Sequence, residues 1–558
     1  MSDAHATLPA ATADGAARRA ALEAPATAGG GTTVDYRSQG RLLLLGPEAA
    51  VLDAVARVPA DLDAYVLLTD DAGPSLAHPD VGQLGGRVRR GQPRALAGHL
   101  GEFRLAVADG DGERDLAVAF GLEPEQAFDL VLDLGDPPLL QRQLDPPGYF
   151  RPGPSGDADA ALRAAAALVG EFEKPRYFSY DPDICVHGAR GQRGCTRCLD
   201  ACATEAIRSV GERIEVDPYL CQGCGSCATT CPTGAIAYAW PPVEQLLERV
   251  REMLGRYREA GGSDPLVLFH DGEAGAAALA EWSPDLPESV LPVTVEDAGS
   301  VGLDTWLTTL AYGAGRAVTL LPDTMPASER DTTLEQVALG NAMLRGLDLP
   351  ADRIATIAPG GRLDAIAETP PPLAAEPARF TALGNKREVV RKALLHLHAA
   401  AGAPTQVTPL PAGAPYGDVE VDGDACTLCM ACVSVCPTQA LNGGGEQPLL
   451  SFREDRCVQC GLCERTCPED AITLAPRLNF GALAEPQAET RHQEEPHHCP
   501  GCGKPFGTRK LIERMQRRLG EHWMFGDAEA RRRLELCEDC RVEAVLRDEG
   551  SIDPYRGK

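Results

Sequence analysis

Three short cysteine runs with identical spacing constrain this sequence more than any other feature. Each run reads C-x2-C-x2-C-x3-C-P, and the three begin at Cys221, Cys426 and Cys457. Three thiolates this close together can wrap one corner of an iron–sulfur cubane, and the spacing is the bacterial [4Fe–4S] signature. Gly223 and Gly225 let the backbone pass close to a cluster, so that its N–H groups can donate to sulfur. The runs therefore predict three cluster-binding segments.

A fourth run, CVHGARGQRGCTRCLDAC over residues 185–202, is the same motif with a widened first gap. Nine residues separate Cys185 from Cys195 where the other runs have two, and Ala203 stands where they have proline. The run continues as CATEAI, which matches CPTGAI, CPTQAL and CPEDAI in the other three. We therefore expect a fourth cluster. The stretch VHGARGQRG would be a Gly-rich surface loop inserted between its first and second ligands.

The four runs occur in two pairs, and each pair resembles a two-cluster bacterial ferredoxin domain. In such ferredoxins the fourth cysteine of each run ligates the other cluster. The resemblance implies four ligand sets, each named here by the first cysteine of its run. The Cys185 set is Cys185, Cys195, Cys198 and Cys231; the Cys221 set is Cys221, Cys224, Cys227 and Cys202; the Cys426 set is Cys426, Cys429, Cys432 and Cys467; the Cys457 set is Cys457, Cys460, Cys463 and Cys436.

The inserted loop carries three further candidates. His187 could replace or supplement a cysteine ligand. Because no cysteine is missing, a loop histidine near solvent is the favoured interpretation. Arg190 and Arg193 could raise the potential of the nearby cluster or dock an acidic partner, and solvated loop arginines are an equally good interpretation.

The last four cysteines have a different spacing. Two C-x2-C knuckles near the C-terminus suit a tetrahedral zinc site made of Cys499, Cys502, Cys537 and Cys540. A fifth iron–sulfur cluster is the alternative, but the spacing does not fit the octet. Spare surface histidines are the favoured interpretation of His497 and His498. The following helix, with Leu511, Ile512, Met515 and Leu519 on one face, is expected to pack against the ferredoxin module.

The rest of the chain is free of cysteine and carries short apolar runs, such as RLLLLG and PLVLFHDG, that alternate with helical spacing. This alternation is typical of α/β domains with parallel sheets. The expected fold class is α/β plus α+β. Two small Rossmann-like α/β domains alternate with two bacterial 2[4Fe–4S] ferredoxin-type domains, and a zinc-ribbon-like segment follows.

The expected domain boundaries run from the N-terminus to residue 545. They are a disordered tail over 1–35, an α/β domain over 36–150, a linker and helix over 151–175, a ferredoxin domain over 176–240, a helix over 241–262, an α/β domain over 263–365, a linker and helix over 366–415, a ferredoxin domain over 416–480 and a zinc-knuckle tail over 495–545.

Charge and hydropathy restrict the partners. The formal net charge of −28 repels nucleic acid and favours partners with basic patches. No apolar run approaches the roughly 20 residues that span a membrane, and the N-terminus lacks the apolar segment of a signal peptide. We therefore expect a cytoplasmic protein with no membrane span. Its 20 cysteines are then metal ligands rather than disulfides.

These features predict a multi-cluster iron–sulfur electron-transfer protein, either a carrier or an adaptor subunit of an oxidoreductase system. No dinucleotide fingerprint, P-loop or nucleophile elbow is readable, so no catalytic residue is assigned. One alternative is an oxidoreductase enzyme whose α/β domains bind a flavin or nicotinamide without the usual fingerprint. Another is a regulatory iron–sulfur protein that binds nucleic acid through the zinc tail, which the net charge disfavours.

The whole layout also resembles a group of bacterial 4Fe-4S proteins encoded beside molybdenum-dependent formate dehydrogenases. The resemblance is carried by FDLVLDLGDPP…PPGYF, the widened CVHGARGQRGCTRC, VLFHDGEAG and the terminal CGKPFGTRKLIERM…HWMF…CEDCR. It implies electron transfer to or from a formate dehydrogenase.

Overall fold

The structure, a computed structural model, describes most of the chain: residues 8, 10–25, 31–70, 86–110, 112–153, 156–350, 352–361, 370–402, 406–445, 447–520, 522, 525 and 527–547. Its secondary structure mixes parallel sheets, small antiparallel sheets and helices. The expected domain boundaries stay predictions. We describe the elements in five groups: two α/β units, two ferredoxin-type units and a C-terminal segment.

The first α/β unit is built on a five-stranded parallel sheet. Along its central strand, Leu42 and Leu44 pack on one face while Leu43 and Leu45 pack on the other, so both faces are buried. A strand covered on both faces must be apolar throughout, which is why RLLLLG shows no alternation. In spatial order the strands are Val88–Arg90, Asp63–Leu68, Arg41–Gly46, Leu130–Asp133 and Tyr149–Phe150.

Smaller elements surround this sheet. An antiparallel sheet comprises Pro93–Ala97, Arg104–Asp109 and Gly112–Asp115, and a separate pair joins Thr33–Ser38 to Gly170–Pro175. The helices are Glu48–Val55, Leu116–Ala119 and Ala158–Ala166.

The second α/β unit has a four-stranded parallel sheet, as the apolar runs predict. Leu266 and Leu268 pack on one face of its central strand, and Val267 and Phe269 pack on the other. The strand order is Val290–Val295, Leu266–Asp271, Arg316–Leu320 and Ile354–Ile357. The helices are Val243–Glu259, Ala274–Trp282, Leu303–Ala311, Ala327–Arg345 and Lys386–Ala400, with a 3-10 turn at Ala298–Ser300. The Rossmann-like assignment of both units stays a prediction.

The N-terminal segment differs from the expected disordered tail. Ala13–Leu22 is a helix, capped by the Thr12 side chain, with Ala17 and Ala21 fully buried. It packs against the helix Val243–Glu259, where Tyr257 donates a hydrogen bond to Asp14. This Ala-rich segment is ordered by packing against a helix more than 200 residues away in sequence. The composition of the segment itself does not reveal that contact. The rest of the predicted tail at 1–7, 9 and 26–30 lies outside the described residues, as do 366–369 of the predicted linker.

The two ferredoxin-type units share one plan: an outer antiparallel strand pair, an inner β-hairpin and two short helices. The first contains Phe178–Tyr180 paired with Ile236–Tyr238, Ile207–Val210 paired with Arg213–Val216, and the helices Arg197–Asp200 and Ser226–Thr230. The second contains Gly417–Val421 paired with Ile472–Asn479, Leu441–Gly443 paired with Leu449–Phe452, and the helices Ala431–Ser434 and Leu462–Thr466.

Extra elements extend both units. The first unit has a 3-10 turn at Pro182–Ile184 and a small hairpin of Gly188–Ala189 and Gln192–Arg193; the second has the strands Val407–Pro409 and Glu489–Gln493, a 3-10 turn at Glu454–Arg456 and the helix Phe480–Ala484.

The C-terminal segment packs on the second ferredoxin-type unit, as its helical spacing predicts. Ile512 is buried, and Lys510 donates a hydrogen bond to the carbonyl of Gly423 over 2.8 Å. The segment comprises Pro496–His498 paired with Pro505–Thr508, the helices Arg509–Leu519, Ala528–Arg532 and Glu538–Arg547, and a 3-10 turn at Arg533–Glu535. The zinc-ribbon assignment stays a prediction. Among the described residues, no helix is both long and apolar enough to cross a bilayer.

Candidate cluster-binding sites

The backbone repeats the same left-handed turn after all four cysteine runs. The third residue beyond the last cysteine has a positive φ in each case: 53° at Glu205, 79° at Gly234, 52° at Gln439 and 50° at Asp470. A positive φ is uncommon outside glycine, so four matching positions mark one repeated structure. The widened run at 185–202 is therefore the same repeat as the other three, although Ala203 replaces the proline.

This turn directs backbone donors at the fourth cysteine of a run. The N–H of Ala206 donates to the Sγ of Cys202, and the N–H of Ala471 donates to the Sγ of Cys467, each over 3.3 Å. Hydrogen bonds to sulfur stabilise the thiolate form, which is the form that binds iron.

A second left-handed residue begins the short helix in each regular octet. It is Gly225 with φ 82°, Met430 with φ 61° and Gly461 with φ 77°. This turn places the second and third cysteines of the octet on opposite sides of one sharp bend. Gly225 is also tightly packed, because a Cβ there would lie 2.5 Å from the Cα of Ser300.

The sixteen octet cysteines gather in four groups that cross between paired runs. Cys202 lines one cavity with Cys221, Cys224 and Cys227, and Cys231 lines another with Cys185, Cys195 and Cys198. Cys467 lines a third cavity with Cys426, Cys429 and Cys432. In the remaining group, Cys463 interacts electrostatically with Cys457, Cys460 and Cys436.

Burial makes several of these thiols hard to ionise without a cation. It raises the pKa of Cys195 and of Cys457 to about 11, and it raises the pKa of Cys227 well above its usual value. Neighbouring thiols of the same group add to the rise for Cys227. Four buried thiolates are costly unless positive charge sits among them. Iron would supply that charge, so the residues fit a [4Fe–4S] cluster.

The first α/β unit covers one side of the Cys221 set. Lys174 donates a hydrogen bond to the carbonyl of Cys221 over 2.6 Å, and the hydroxyl of Tyr36 donates to the carbonyl of Tyr219 over 2.5 Å. Burial lowers the pKa of Lys174 to about 8. When protonated, Lys174 places a positive charge beside this set, which favours the more negative, reduced state of a cluster.

The second α/β unit covers the other side of the Cys221 set. Its 3-10 turn at Ala298–Ser300 packs on Gly225, and the carboxyl groups of Asp297 and Glu329 lie behind Cys224. Burial raises the pKa of both carboxyls, and beside Asp297 the pKa of Glu329 reaches about 10. Glu329 therefore keeps its proton near neutral pH, so it adds no negative charge next to the set.

The Cys426 set is the most open of the four. Cys429 is exposed, whereas every other cysteine of the four sets is buried or half-buried. The C-terminal segment borders this set, where the hydroxyl of Thr508 donates to the carbonyl of Thr427 over 3.3 Å.

His187 is not a loop histidine near solvent, and that interpretation is wrong. Its side chain is buried, with 1% exposed. Nδ1 donates to the carbonyl of Cys195 over 2.8 Å, and Nε2 lies 2.7 Å from the hydroxyl of Ser209. Because a carbonyl only accepts, Nδ1 carries a proton, and the hydroxyl of Ser209 can donate to or accept from Nε2. Both ring nitrogens are thus engaged, and His187 ties the insertion to the inner hairpin of its unit.

The insertion forms a tight hairpin, Gly188–Arg193, called the bridging hairpin below. Its two-residue turn has φ 49° at Arg190 and 76° at Gly191, the pattern of a type I′ turn. Below it, the N–H of Cys195 donates to the carbonyl of Val186 over 3.0 Å. This pairing brings Cys195 back beside Cys185 in spite of the nine intervening residues.

The arginines of the bridging hairpin contact the second ferredoxin-type unit. Nε of Arg190 donates to the carbonyl of Ser434 over 2.9 Å, and Arg465 donates to the carbonyl of Arg193 over 2.8 Å. In addition, the hydroxyl of Thr466 donates to the side-chain oxygen of Gln192 over 2.6 Å. The side chain of Arg190 is thus held at the second unit although the residue is exposed, whereas Arg193 takes part through its backbone carbonyl and the interpretation of its side chain as solvated stays a prediction.

Sequence reasoning missed two residues that join the units. Lys386 donates to the carbonyl of Ala228 over 3.0 Å, and Arg387 donates to the carbonyl of Cys457 over 2.6 Å. The capping box of Asn385 and Glu388 is a readable signal for the start of their helix. No local signal shows which carbonyls the two cations reach.

The four C-terminal cysteines form a compact group. The Sγ atoms of Cys499, Cys502, Cys537 and Cys540 all lie within 4.8 Å of one another, a geometry that could hold a metal ion. Burial opposes ionisation of Cys499, but the N–H groups of Cys537 and Gly501 donate to its sulfur and bring its pKa down to about 6. The neighbouring imidazoles are not part of the group: His497 lies 3.3 Å from the carbonyl of Glu535, and His498 is exposed.

Comparison with known proteins agrees with this geometry. Residues 193–235 and 425–472 each match a family model described as a 4Fe-4S dicluster domain. The first match begins after Cys185, at the end of the widened gap. No curated protein matches the chain. The protein thus contains two ferredoxin-type iron–sulfur domains, and such domains indicate a role in electron transfer.

Proposed function

We propose that this protein carries four [4Fe–4S] clusters and one zinc ion and passes single electrons to or from a redox enzyme. The observation that carries the proposal is the gathering of sixteen octet cysteines into four groups of four, one per cubane. Each cluster would supply one-electron redox chemistry, typically near −400 mV in ferredoxins. The chain's own residues bind the clusters, and all but one of the sixteen cysteines are buried or half-buried.

The zinc assignment rests on the C-terminal group. Four thiols at 4.8 Å or less from one another suit the tetrahedral coordination that zinc adopts in structural sites. The two knuckles come from segments 34 residues apart, so a metal there would join the strand pair to the last helix. Since the segment also packs on the second ferredoxin-type unit, its role in the proposal is structural.

The partner follows from charge and from resemblance. A protein of net charge −28 is steered toward a basic docking face. The exposed Cys429 makes the Cys426 set the place where a partner can approach most closely. The resemblance to proteins encoded beside molybdenum formate dehydrogenases names a formate dehydrogenase as the partner.

Anaerobic mixing tests the partner assignment. Formate plus a molybdenum formate dehydrogenase should reduce the clusters, and the rate should fall as ionic strength rises because salt screens the attraction. NADH without an enzyme should give no reduction. Rapid reduction by NADH alone, with no effect of formate and its dehydrogenase, would favour a nicotinamide-linked enzyme instead.

A further inference from the structure

We propose that the bridging hairpin fixes the two ferredoxin-type units in register for electron transfer. The four clusters would then form one path that crosses between units from the Cys185 set to the Cys457 set. This inference deepens the proposed function and rests on it, because it assumes that all four sets bind clusters.

The first observation is a close contact between residues that flank ligands of different units. Gly194 precedes Cys195, and Leu462 precedes Cys463. A Cβ at position 194 would lie only 3.1 Å from Cδ1 of Leu462, and Leu462 is fully buried. The Cys185 and Cys457 sets therefore approach each other through one pair of packed residues, with no water layer between them at that point.

The second observation is that polar contacts hold this approach in place. The bridging hairpin makes three hydrogen bonds to the two short helices that carry cysteines of the second unit. They are formed by the side chain of Arg190, the side chain of Gln192 and the carbonyl of Arg193. Their partners Ser434 and Thr466 each lie one or two residues before a cysteine ligand. A ferredoxin needs only two residues between its first two ligands, so the contact with the second unit accounts for the additional residues of the insertion.

The third observation orders the sets within each unit. The helix Arg197–Asp200 carries Cys198 of the Cys185 set and leads directly to Cys202 of the Cys221 set. In the second unit, the helix Leu462–Thr466 carries Cys463 of the Cys457 set and leads directly to Cys467, which lines the cavity of the Cys426 set. The path therefore runs through the Cys221, Cys185, Cys457 and Cys426 sets in that order, from the end covered by both α/β units to the open end at Cys429.

The transfer step balances without a further reactant. With clusters bound at the Cys185 and Cys457 sets, one electron would leave the reduced cluster of one unit and reduce the oxidised cluster of the other, with no bond formed or broken. The rate depends on the distance and packing between the clusters, which is why a rigid junction matters. In other reactions that depend on position, a displacement of about 1 Å can cost on the order of 100-fold in rate.

The experiment compares two variants of the full-length protein. Arg190→Ala with Gln192→Ala removes two of the hairpin's contacts, and replacing residues 186–194 by two residues removes the whole insertion. Arg208→Ala is the control, because it deletes the same charge from the first unit at an exposed side chain that pairs with Glu215 of its own hairpin. After photoreduction by less than one electron per chain, freeze-quench EPR follows the redistribution of electrons among the clusters.

We expect both hairpin variants to slow redistribution between units, by on the order of tenfold or more, while Arg208→Ala keeps the rate of the unaltered protein. Iron content checks that the variants hold their clusters. If the shortened chain loses iron, the point variant, Arg190→Ala with Gln192→Ala, decides the result. An unchanged rate in the point variant at full iron content would overturn the inference. Too little iron in the unaltered protein would instead overturn the proposed function.

Discussion

Lys386 and Arg387 are consecutive residues that bind backbone carbonyls of two different ferredoxin-type units. Lys386 reaches the carbonyls of Ala228 and Thr229, at the end of a cysteine-bearing helix in the first unit. Arg387 reaches the carbonyl of Cys457 in the second unit, and its guanidinium lies 4.3 Å from the ring centre of Tyr416. The start of one helix thus fixes both units, in addition to the bridging hairpin.

Arg387→Ala should loosen the second unit more than the first. It removes hydrogen bonds to the carbonyls of Asp455, Pro415 and Cys457, and bonds from a charged donor contribute about 1.5–3 kcal/mol each. We expect a loss of at least the roughly 1.5–3 kcal/mol that one such bond contributes, seen as a lower temperature of cluster loss in anaerobic melting. Lys392→Ala, on the same helix, is the control with one exposed hydrogen bond. Loss of the clusters at the same temperature in both variants would contradict the stabilising role of Arg387.

Cys202→Ala tests the crossing of ligands. We expect it to damage the cluster bound by Cys221, Cys224 and Cys227, because Cys202 lines their cavity. The reciprocal variant, Cys231→Ala, should damage the cluster of the Cys185 set instead. Mössbauer and EPR spectra of the two variants should therefore lose different components. Loss of the same component in both, or the reverse pattern, would show that ligands do not cross.

Gly225→Ala should disturb the Cys221 set and its packing against the second α/β unit. The added Cβ would lie 2.5 Å from the Cα of Ser300, and alanine at φ 82° costs about 1–2 kcal/mol by itself. Met430→Gly is the matched variant at the equivalent position of another octet, where it relieves a positive φ of 61°. We expect reduced iron content for Gly225→Ala and full content for Met430→Gly. Full iron in the alanine variant would show that the close approach is not required.

His187→Ala should lower stability and leave the spectrum of the nearest cluster unchanged. The variant removes the hydrogen bonds to the carbonyl of the half-buried Cys195 and to the hydroxyl of the exposed Ser209, and such bonds contribute about 0.5–1.5 kcal/mol each. Anaerobic melting and EPR measure the two effects on one sample. A changed EPR signal at full iron content would identify His187 as a ligand after all.

Cys499→Ser should remove the zinc and leave the iron. The cysteine is one of four thiols that could hold the ion, and it lies in a segment outside both ferredoxin-type domains. Metal analysis of the variant and the unaltered protein provides the comparison. Retention of zinc, or loss of iron in proportion to zinc, would contradict a separate zinc site.

Local patterns were sufficient for features that depend on local chemistry. The octet spacing predicted the ferredoxin-type domains. The apolar runs predicted α/β units, and the run at Leu42–Leu45 lies in a parallel strand that is buried on both faces. The shared CATEAI tail also identified the widened run as a repeat, which the positive φ at Glu205 supports.

Features that depend on distant partners were beyond the sequence. The burial of His187 requires Ser209, and the order of the helix Ala13–Leu22 requires Tyr257 and its neighbours. The role of Arg190 depends on Ser434, more than 200 residues away. The sequence around each of these residues resembles that of a solvent-exposed loop or tail, so residue spacing alone does not show that the residue contacts a distant partner.

The content of iron and acid-labile sulfide tests the central claim most directly. The protein should be prepared without oxygen, reconstituted to saturation and analysed per chain. Four clusters require about sixteen iron and about sixteen sulfide, and EPR of the reduced protein should show interacting [4Fe–4S] clusters. A saturated preparation that stops at about twelve iron, with the widened run empty, would contradict the account of four clusters in one path.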